Sequence, residues 1–594
     1  MSDAWLFREG LLLALAGLAW MLWPAKNKAT LQTPATDVQE PAAPSDTDQP
    51  RSYRVSRGVG SGRRRGLVLA SLAVAAMLAW LGAARIPASP DYPLDPGKIH
   101  VHEWTHYYLG AKYANELSYT RLYICIDTAD AQDGHRAQVA RRPIRNLQTG
   151  AVEGSTAILT HPQECTRHFT PARWNEFRHD VRFFEARVHP QQWNAILVDH
   201  GYNPTPVWTT LGRLLANHGP VSVTEVELLA LLDPLFLLAM VLAIGWAFGR
   251  RAAAVSLLVL GVFLPAAHSW TGGAFLRWDW LLWTVAAVCL LKKNHPLCAG
   301  LALGYSACLR IFPAILFAGP LFAFLWQVLA AWRNRPTHLV QTIARPQRPP
   351  AGEGLESAVG RWWAMRFLAG GAAATALLVT VSGILVGGLG TWRAFYHNLA
   401  RIQQDIMTNQ IGVLTVLRWR PHQGLHELYQ AHAVDATGTW RHTVAHEAAT
   451  MRPIALLLAL VALAALAWAA RRVPPWIALV LGITVIPTLT DPLNYYYMII
   501  VVLALLWTDR PRIGAWLLAL AAASQFVALA PLPGMPGPDQ QFTLISALTV
   551  PTFAAILWHY ARHPIPSVPP GTPPPHHGGE DLVALTPPQP VPHS

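Results

Sequence analysis

Charged residues are scarce, at 13% of 594 positions against 52% hydrophobic ones. Soluble chains carry about 25% charge, so a soluble enzyme with a long tail is excluded. The five cysteines show no CxxC or zinc-ribbon spacing. No single basic patch exists either: the net charge of +12 is divided into short clusters between apolar runs. Such clusters follow the positive-inside rule, and nucleic acid is not an expected partner. Apart from Asp233-Pro234, no paired broken helices or inverted repeat stand out, which argues against a transporter or a non-catalytic assembly protein.

What the sequence does have is about 13 apolar runs approaching the roughly 20 residues of a spanning helix. They lie near 10–23, 66–84, 226–248, 252–267, 276–291, 296–311, 313–331, 367–388, 452–470, 474–489, 493–507, 513–530 and 542–560. Arg63-Arg64-Arg65, Arg250-Arg251, Lys292-Lys293, Arg333/Arg335, Arg471-Arg472, Arg510/Arg512 and Arg562 fall in every second connection. Those connections are expected on the cytoplasmic side of the cytoplasmic (inner) membrane, with the N-terminus outside and the C-terminus inside. Residues 1–23 read as a retained membrane anchor, with a signal-peptide core as the alternative: Arg8 sits beside Asp3 and Glu9, no small-residue cleavage site follows, and Lys26 and Lys28 come after the run. Residues 24–65, 333–360 and 563–594 are polar or Pro-rich and are expected to be disordered. The membrane domain is then 66–562.

Two outer loops, 86–225 and 389–450, are rich in aromatics and histidine. At about 200 residues together they suffice for a folded cap. The first mixes a helical pattern near 100–118 with strand-like pieces at Arg121–Ile126 and Ala157–Leu159. The expected fold class is therefore an all-α polytopic membrane protein with a mixed α/β outward-facing cap. Cys125 and Cys165 fall in this loop, where a disulfide and two separate thiols both remain open.

The segment His102-Glu103-Trp104-Thr105-His106-Tyr107-Tyr108 carries the most chemistry. As HExxH on a helix, it puts His102 and His106 on one face to bind zinc or another divalent metal, with Glu103 as general base of an outward-facing peptidase. No third ligand is evident; Glu116 has no distinctive helical context, and the downstream metzincin glycine and histidine are missing. The second reading makes Glu103 a lone carboxylate base that needs no cofactor, with the histidines tuning it or binding substrate. The ordinary reading is a helix end packed in the loop's own core.

Other segments favour the second reading. Asp199-His200-Gly201-Tyr202-Asn203-Pro204 is turn-rich and precedes a span; Arg277-Trp278-Asp279 and Arg310-Ile311-Phe312-Pro313 put charges at outer span ends. Thr408-Asn409-Gln410-Ile411-Gly412, with Arg418 and Arg420 beyond it, and Asp491-Pro492-Leu493-Asn494-Tyr495 are expected at the same level. Charges at membrane depth are functional by default. A lipid-linked phosphate fits such a level: its tail lies in the bilayer and arginines bind its phosphate bidentately. One carboxylate would then suffice to deprotonate an acceptor hydroxyl.

In this order the segments resemble those of the GT-C glycosyltransferases, closest to family 87, the polyprenyl-phosphate-mannose-dependent mannosyltransferases. Glu103-Trp104-Thr105-His106-Tyr107 and Leu122-Tyr123 resemble that family's first outer-loop motif. Tyr202-Asn203-Pro204-Thr205-Pro206 resembles its Y-P-P segment, Arg310-Ile311-Phe312-Pro313 its basic turn, Asn409-Gln410-Ile411 its N-Q-S segment, and Asp491–Tyr495 its late S-P segment. The chain departs from the pattern in having Glu for Asp, the flanking histidines, Arg for Lys in the turn, and a long insertion after Tyr123. The resemblance covers about 66–560. It implies an inverting hexosyltransferase that moves a sugar, mannose in that family, from polyprenyl phosphate to a lipid or glycan acceptor. Glu103 would be the base, and Arg310 with Arg277 would hold the phosphate. His102, His106, Tyr107, Tyr202, Asn203, Asp279, Asn409, Gln410, Asn494 and Tyr495 would line the substrate site among membrane lipids.

Overall fold

The computed structural model describes residues 4–22, 59–82, 99–333, 362–432, 435–530 and 537–563. Among them, seven helices are long and apolar enough to cross a bilayer: Arg64–Leu81, Val223–Phe248, Phe312–Ala330, Trp363–Leu385, Ala436–Ala470, Pro511–Leu529 and Pro538–Arg562. The chain is an all-α membrane protein. These helices coincide with the apolar runs beginning near 66, 226, 313, 367, 452, 513 and 542.

The other runs take shorter forms. Residues 252–267, 276–291 and 296–311 fold as Arg250–Val262, Asp279–Lys292 and Pro296–Leu309. At 1.5 Å per residue such helices are about 20 Å long, short of the roughly 30 Å hydrocarbon layer. Residues 474–489 and 493–507 alternate α-helical and 3-10 turns. Irregular backbone at this depth is tolerated where protein rather than lipid surrounds it, and Ile477, Leu479–Leu481, Ile500 and Val502–Leu506 are buried. The run near 10–23 lies in the 19-residue helix Ala4–Leu22.

Pro296–Leu309 and Trp363–Leu385 cross backbone to backbone. A Cβ on Gly300 would lie 1.9 Å from Phe367 O, and one on Gly304 2.8 Å from Gly371 O. Small residues four apart allow this approach, which replaces hydrophobic driving force with close packing inside a membrane.

Residues 99–222 form short helices around one antiparallel hairpin, Pro143–Arg145 with Val152–Gly154. It is the one sheet among the described residues. The strands expected at 121–126 and 157–159 are helical instead, within Leu122–Asp130 and Thr156–Thr160. Leu122, Tyr123, Cys125 and Ile126 are buried, and Arg121 and Ile124 partly so, a three-residue rhythm and not the alternation that a half-buried strand requires. Cys125 and Cys165 are joined as a disulfide. Helix Val101–Lys112 is tied to Pro171–Glu185 by the fully buried Lys112 Nζ, 2.6 Å from Asp180 Oδ2.

The segment 389–450 is helical at Leu389–Ile402, Val413–Leu417 and Leu425–Gln430, and its end belongs to the 35-residue helix Ala436–Ala470. The expected linker 24–65 lies outside the described residues except for its end, where Val59–Gly82 is already helical. The expected disordered stretches at 333–360 and 563–594 lie outside them too, apart from Arg333 and His563.

Candidate active site

Helix Val101–Lys112 organises the site. His100 caps it, its Nδ1 accepting from Glu103 N at 3.4 Å, and Glu103 sits in the first turn, where the helix dipole favours an anion. Helical spacing then gives two working faces. Glu103 and Tyr107 lie on one, His102 and His106 on the next.

On the first face Glu103 Oε2 is 3.1 Å from Arg277 Nε. This is an ion pair by distance, but the N–H points off the line and neither atom makes a hydrogen bond. The Arg277 guanidinium carbon lies 4.3 Å from the Tyr107 ring centre and 5.2 Å from that of Tyr495. Arg310 approaches the same Tyr107 ring at 5.4 Å and Trp208 at 5.7 Å. The Tyr107 hydroxyl donates to Asn203 Oδ1 at 2.9 Å. Five segments remote in sequence thus share one aromatic box.

Both arginines are buried, at 4% and 6% exposure. Arg277 Nη1 and Arg310 Nε and Nη2 have no hydrogen-bond acceptor. At the edge, Asp279 Oδ1 accepts from Trp280 N at 2.7 Å, and its field reaches Arg310. Asp233 Oδ1 accepts from Trp278 N at 3.2 Å. Asp279 Oδ2 and Asp233 Oδ2 are unpartnered. Buried polar groups are ordinarily satisfied, so these idle guanidinium and carboxyl atoms are the ones available to a polar ligand.

Burial acts to raise the Glu103 pKa, but the Arg277 charge, followed by His100, His102 and His106, outweighs it and holds the carboxyl below its usual range. Burial pushes Tyr107 up to about 12 despite both arginines, so its hydroxyl stays protonated.

On the second face His102 Nε2 is 2.8 Å from Asp199 Oδ2, and His106 Nδ1 is 3.9 Å from the same oxygen. The Tyr123 hydroxyl and Ile196 O lie 2.7 and 3.3 Å from His106 Nε2. Burial drives His106 down to about 4. It opposes protonation of His102 as well, yet the hydrogen bond to Asp199 and that carboxylate's charge prevail and raise the pKa. Asp199 is depressed: burial would raise it, but the His102 hydrogen bond and the histidine charges win. One ligand atom from each of His102, His106 and Asp199 falls within 4.8 Å of the others. Glu116, weighed above as a third metal ligand, is instead bonded by Arg173 at 3.0 Å.

Asn409, Gln410 and Asn494 come together, but chiefly with one another. Gln410 bridges Leu493, Asn409 Nδ2 donates to Asn494 Oδ1 at 2.7 Å, and Asn494 Nδ2 donates to Pro265 O at 3.1 Å. Arg418 donates to Gln410 Oε1 at 2.9 Å. Fully buried Asn494 staples two segments and sets its neighbour Tyr495 against Arg277. Next to this staple a cleft of about 430 Å³ is lined in part by Thr408, Arg418, Trp419, Trp440 and Asp539.

Tyr202 packs behind the box: its ring lies 6.5 Å from that of Tyr107 and 6.4 Å from that of Trp208, stacks on Tyr119 at 5.6 Å, and its hydroxyl lies 2.6 Å from Thr209 Oγ1. Gly110 makes room for that ring, since a Cβ there would come within 2.1 Å of it. Asp199 and Tyr123 had no assigned role in the sequence, although Asp199 opens the turn-rich stretch before a span and Tyr123 closes the Leu122-Tyr123 pair. No family model, curated protein or solved structure matches the chain.

Proposed function

We propose that the chain is an integral-membrane, inverting glycosyltransferase that takes its sugar from a polyprenyl-phosphate donor. The observation supporting this most is Arg310, 6% exposed with Nε and Nη2 idle, in the same box as Glu103, Arg277 and Tyr107. Such donors suit a phosphate, and fixed donors aimed at a leaving group stabilise the charge that develops there.

In this reading Glu103 takes the proton of an acceptor hydroxyl. The acceptor oxygen forms its bond to the anomeric carbon from the face opposite the phosphate, and the breaking C–O pair leaves with the phosphate, held by Arg310 and Arg277 Nη1. Polyprenyl phosphate leaves as a weakly basic anion, so no general acid is needed and the Glu103 carboxylate is the one proton acceptor. Asp279 and Asp233 present free oxygens to sugar hydroxyls, and no cofactor takes part. The fuller architecture belongs to the same proposal: a GT-C-like domain of about 13 membrane passes and re-entrant segments, with 86–225 and 389–450 as a cap. The cap faces outward from the cytoplasmic membrane, with the N-terminus outside and the C-terminus inside. Mannose is the first sugar to test, with a lipid or glycan acceptor.

The peptidase reading gains a candidate third ligand in Asp199 and uses the same Glu103 as base, so substrate and not the base separates the two readings. The deciding experiment offers radiolabelled polyprenyl-phosphate mannose, glucose and arabinose to proteoliposomes containing the full chain, with extracted membrane glycans as acceptors. Donor-dependent labelling that is lost in Arg310→Gln is expected. Absence of turnover with every donor, alongside peptide cleavage, would replace the transferase by the peptidase.

A further inference from the structure

The second face of helix Val101–Lys112 has no part in the transfer step proposed above. We propose that His102, His106 and Asp199 bind a divalent first-row metal ion, with zinc the best fit.

The donor set comes first. Two imidazoles and one carboxylate suit zinc, and three protein ligands with a fourth position open to water is the pattern of reactive zinc sites rather than closed structural ones. Geometry agrees. A tetrahedral ion with bonds of about 2.0 Å needs ligand atoms about 3.3 Å apart; the 2.8 Å and 3.9 Å separations from Asp199 Oδ2 bracket that value. The remaining edge is no longer than 4.8 Å, and turning the imidazoles about their side-chain bonds shortens it.

The supporting groups point the same way. With its proton on Nε2, between Ile196 O and the Tyr123 hydroxyl, His106 turns the Nδ1 lone pair toward Asp199. A ligating histidine whose other nitrogen is held by a carbonyl is the usual arrangement around bound metals, and it fixes both tautomer and ring orientation. Tyr123 braces the same nitrogen and also accepts from Gly201 N at 3.0 Å, which ties the ring to the turn that follows Asp199. The site is open on one side only: the His106 side chain is 3% exposed, those of His102 and Asp199 26% and 40%. An ion and a water can enter there, and the buried side gives rigidity.

A bound ion would clamp the first turns of Val101–Lys112 to the Asp199 turn and so fix the pitch at which Glu103 faces Arg277. This proposal does not depend on sugar transfer, and its test uses no substrate.

Full-length protein, purified without metal-affinity resin, is stripped with chelator, reloaded with Zn²⁺, desalted and analysed by inductively coupled plasma mass spectrometry. Stoichiometric zinc is expected in wild type and in His200→Ala, whose side chain pairs with Asp405 at 3.0 Å instead. Loss is expected in His102→Ala, His106→Ala and Asp199→Asn. Wild-type protein without zinc after reloading, or three variants that retain it, overturns the site. Should a variant fail to fold, Co²⁺-loaded wild type decides: intense visible bands of a tetrahedral N/O site are expected, and their absence overturns the proposal.

Discussion

Glu103→Gln tests catalysis and packing at once, and the geometry shows how to separate them. At 3.1 Å from Arg277 and an effective dielectric near 20, the attraction is about 5 kcal/mol. The two side chains are 15% and 2% exposed, so neither recovers water when its partner is removed. Either single change, Glu103→Gln or Arg277→Met, is therefore expected to destabilise by about 3–5 kcal/mol by leaving the other ion buried alone. The double variant leaves neither ion unpaired and should lose no more than either single variant, a shortfall of about 3–5 kcal/mol from the sum. Unfolding of a protein this size need not be two-state, so the comparison is best made as midpoint temperatures of four proteins in one detergent. Transfer should be absent in Glu103→Gln and remain absent in the double variant although its midpoint falls no further. Losses that simply add would refute the ion pair as an energetic unit. A double variant that transfers sugar would refute Glu103 as the base.

Arg310→Gln forfeits no hydrogen bond and should change the melting midpoint little, while transfer falls about 10²–10³-fold as for loss of a leaving-group donor; an equal fall in both would make Arg310 structural. Asn494→Ala should cost about 1–3 kcal/mol, because Asn409 and Pro265 O lose a buried partner, with thermal denaturation as the check. Replacing Cys125 and Cys165 by Ser should cost about 4 kcal/mol for a closed loop of 40 residues, and reductant should lower the midpoint of wild type but not of that variant.

Much of the membrane domain was legible in sequence because apolar length is a one-dimensional property. Ala436–Ala470 and Trp363–Leu385 announce themselves as runs. Runs such as 474–489 and 493–507 read the same way, yet they break into mixed turns, because composition does not reveal whether lipid or protein will surround a segment. The strand reading of 121–126 failed for a related reason: over so short a stretch, alternation could not be told from a helical rhythm. Glu103, Arg277 and Arg310 were readable as charges at span ends, a pattern that marks function wherever desolvation is costly. Their pairing was not, nor was Asp199 as partner of His102, since each contact joins segments remote in the chain. The packing of Tyr202 was not legible, because an aromatic ring suits a sugar pocket and a core equally; the space left by Gly110 sets it against Tyr119, Tyr107 and Trp208.

The glycine crossing of Pro296–Leu309 with Trp363–Leu385 has a mechanical consequence. With no methyl's width between the two backbones, they must travel as one plank, and Arg310 is fixed at its tip. Any widening that admits the lipid-linked donor of the proposed function has to be hinged elsewhere, and away from the Asn494 staple as well.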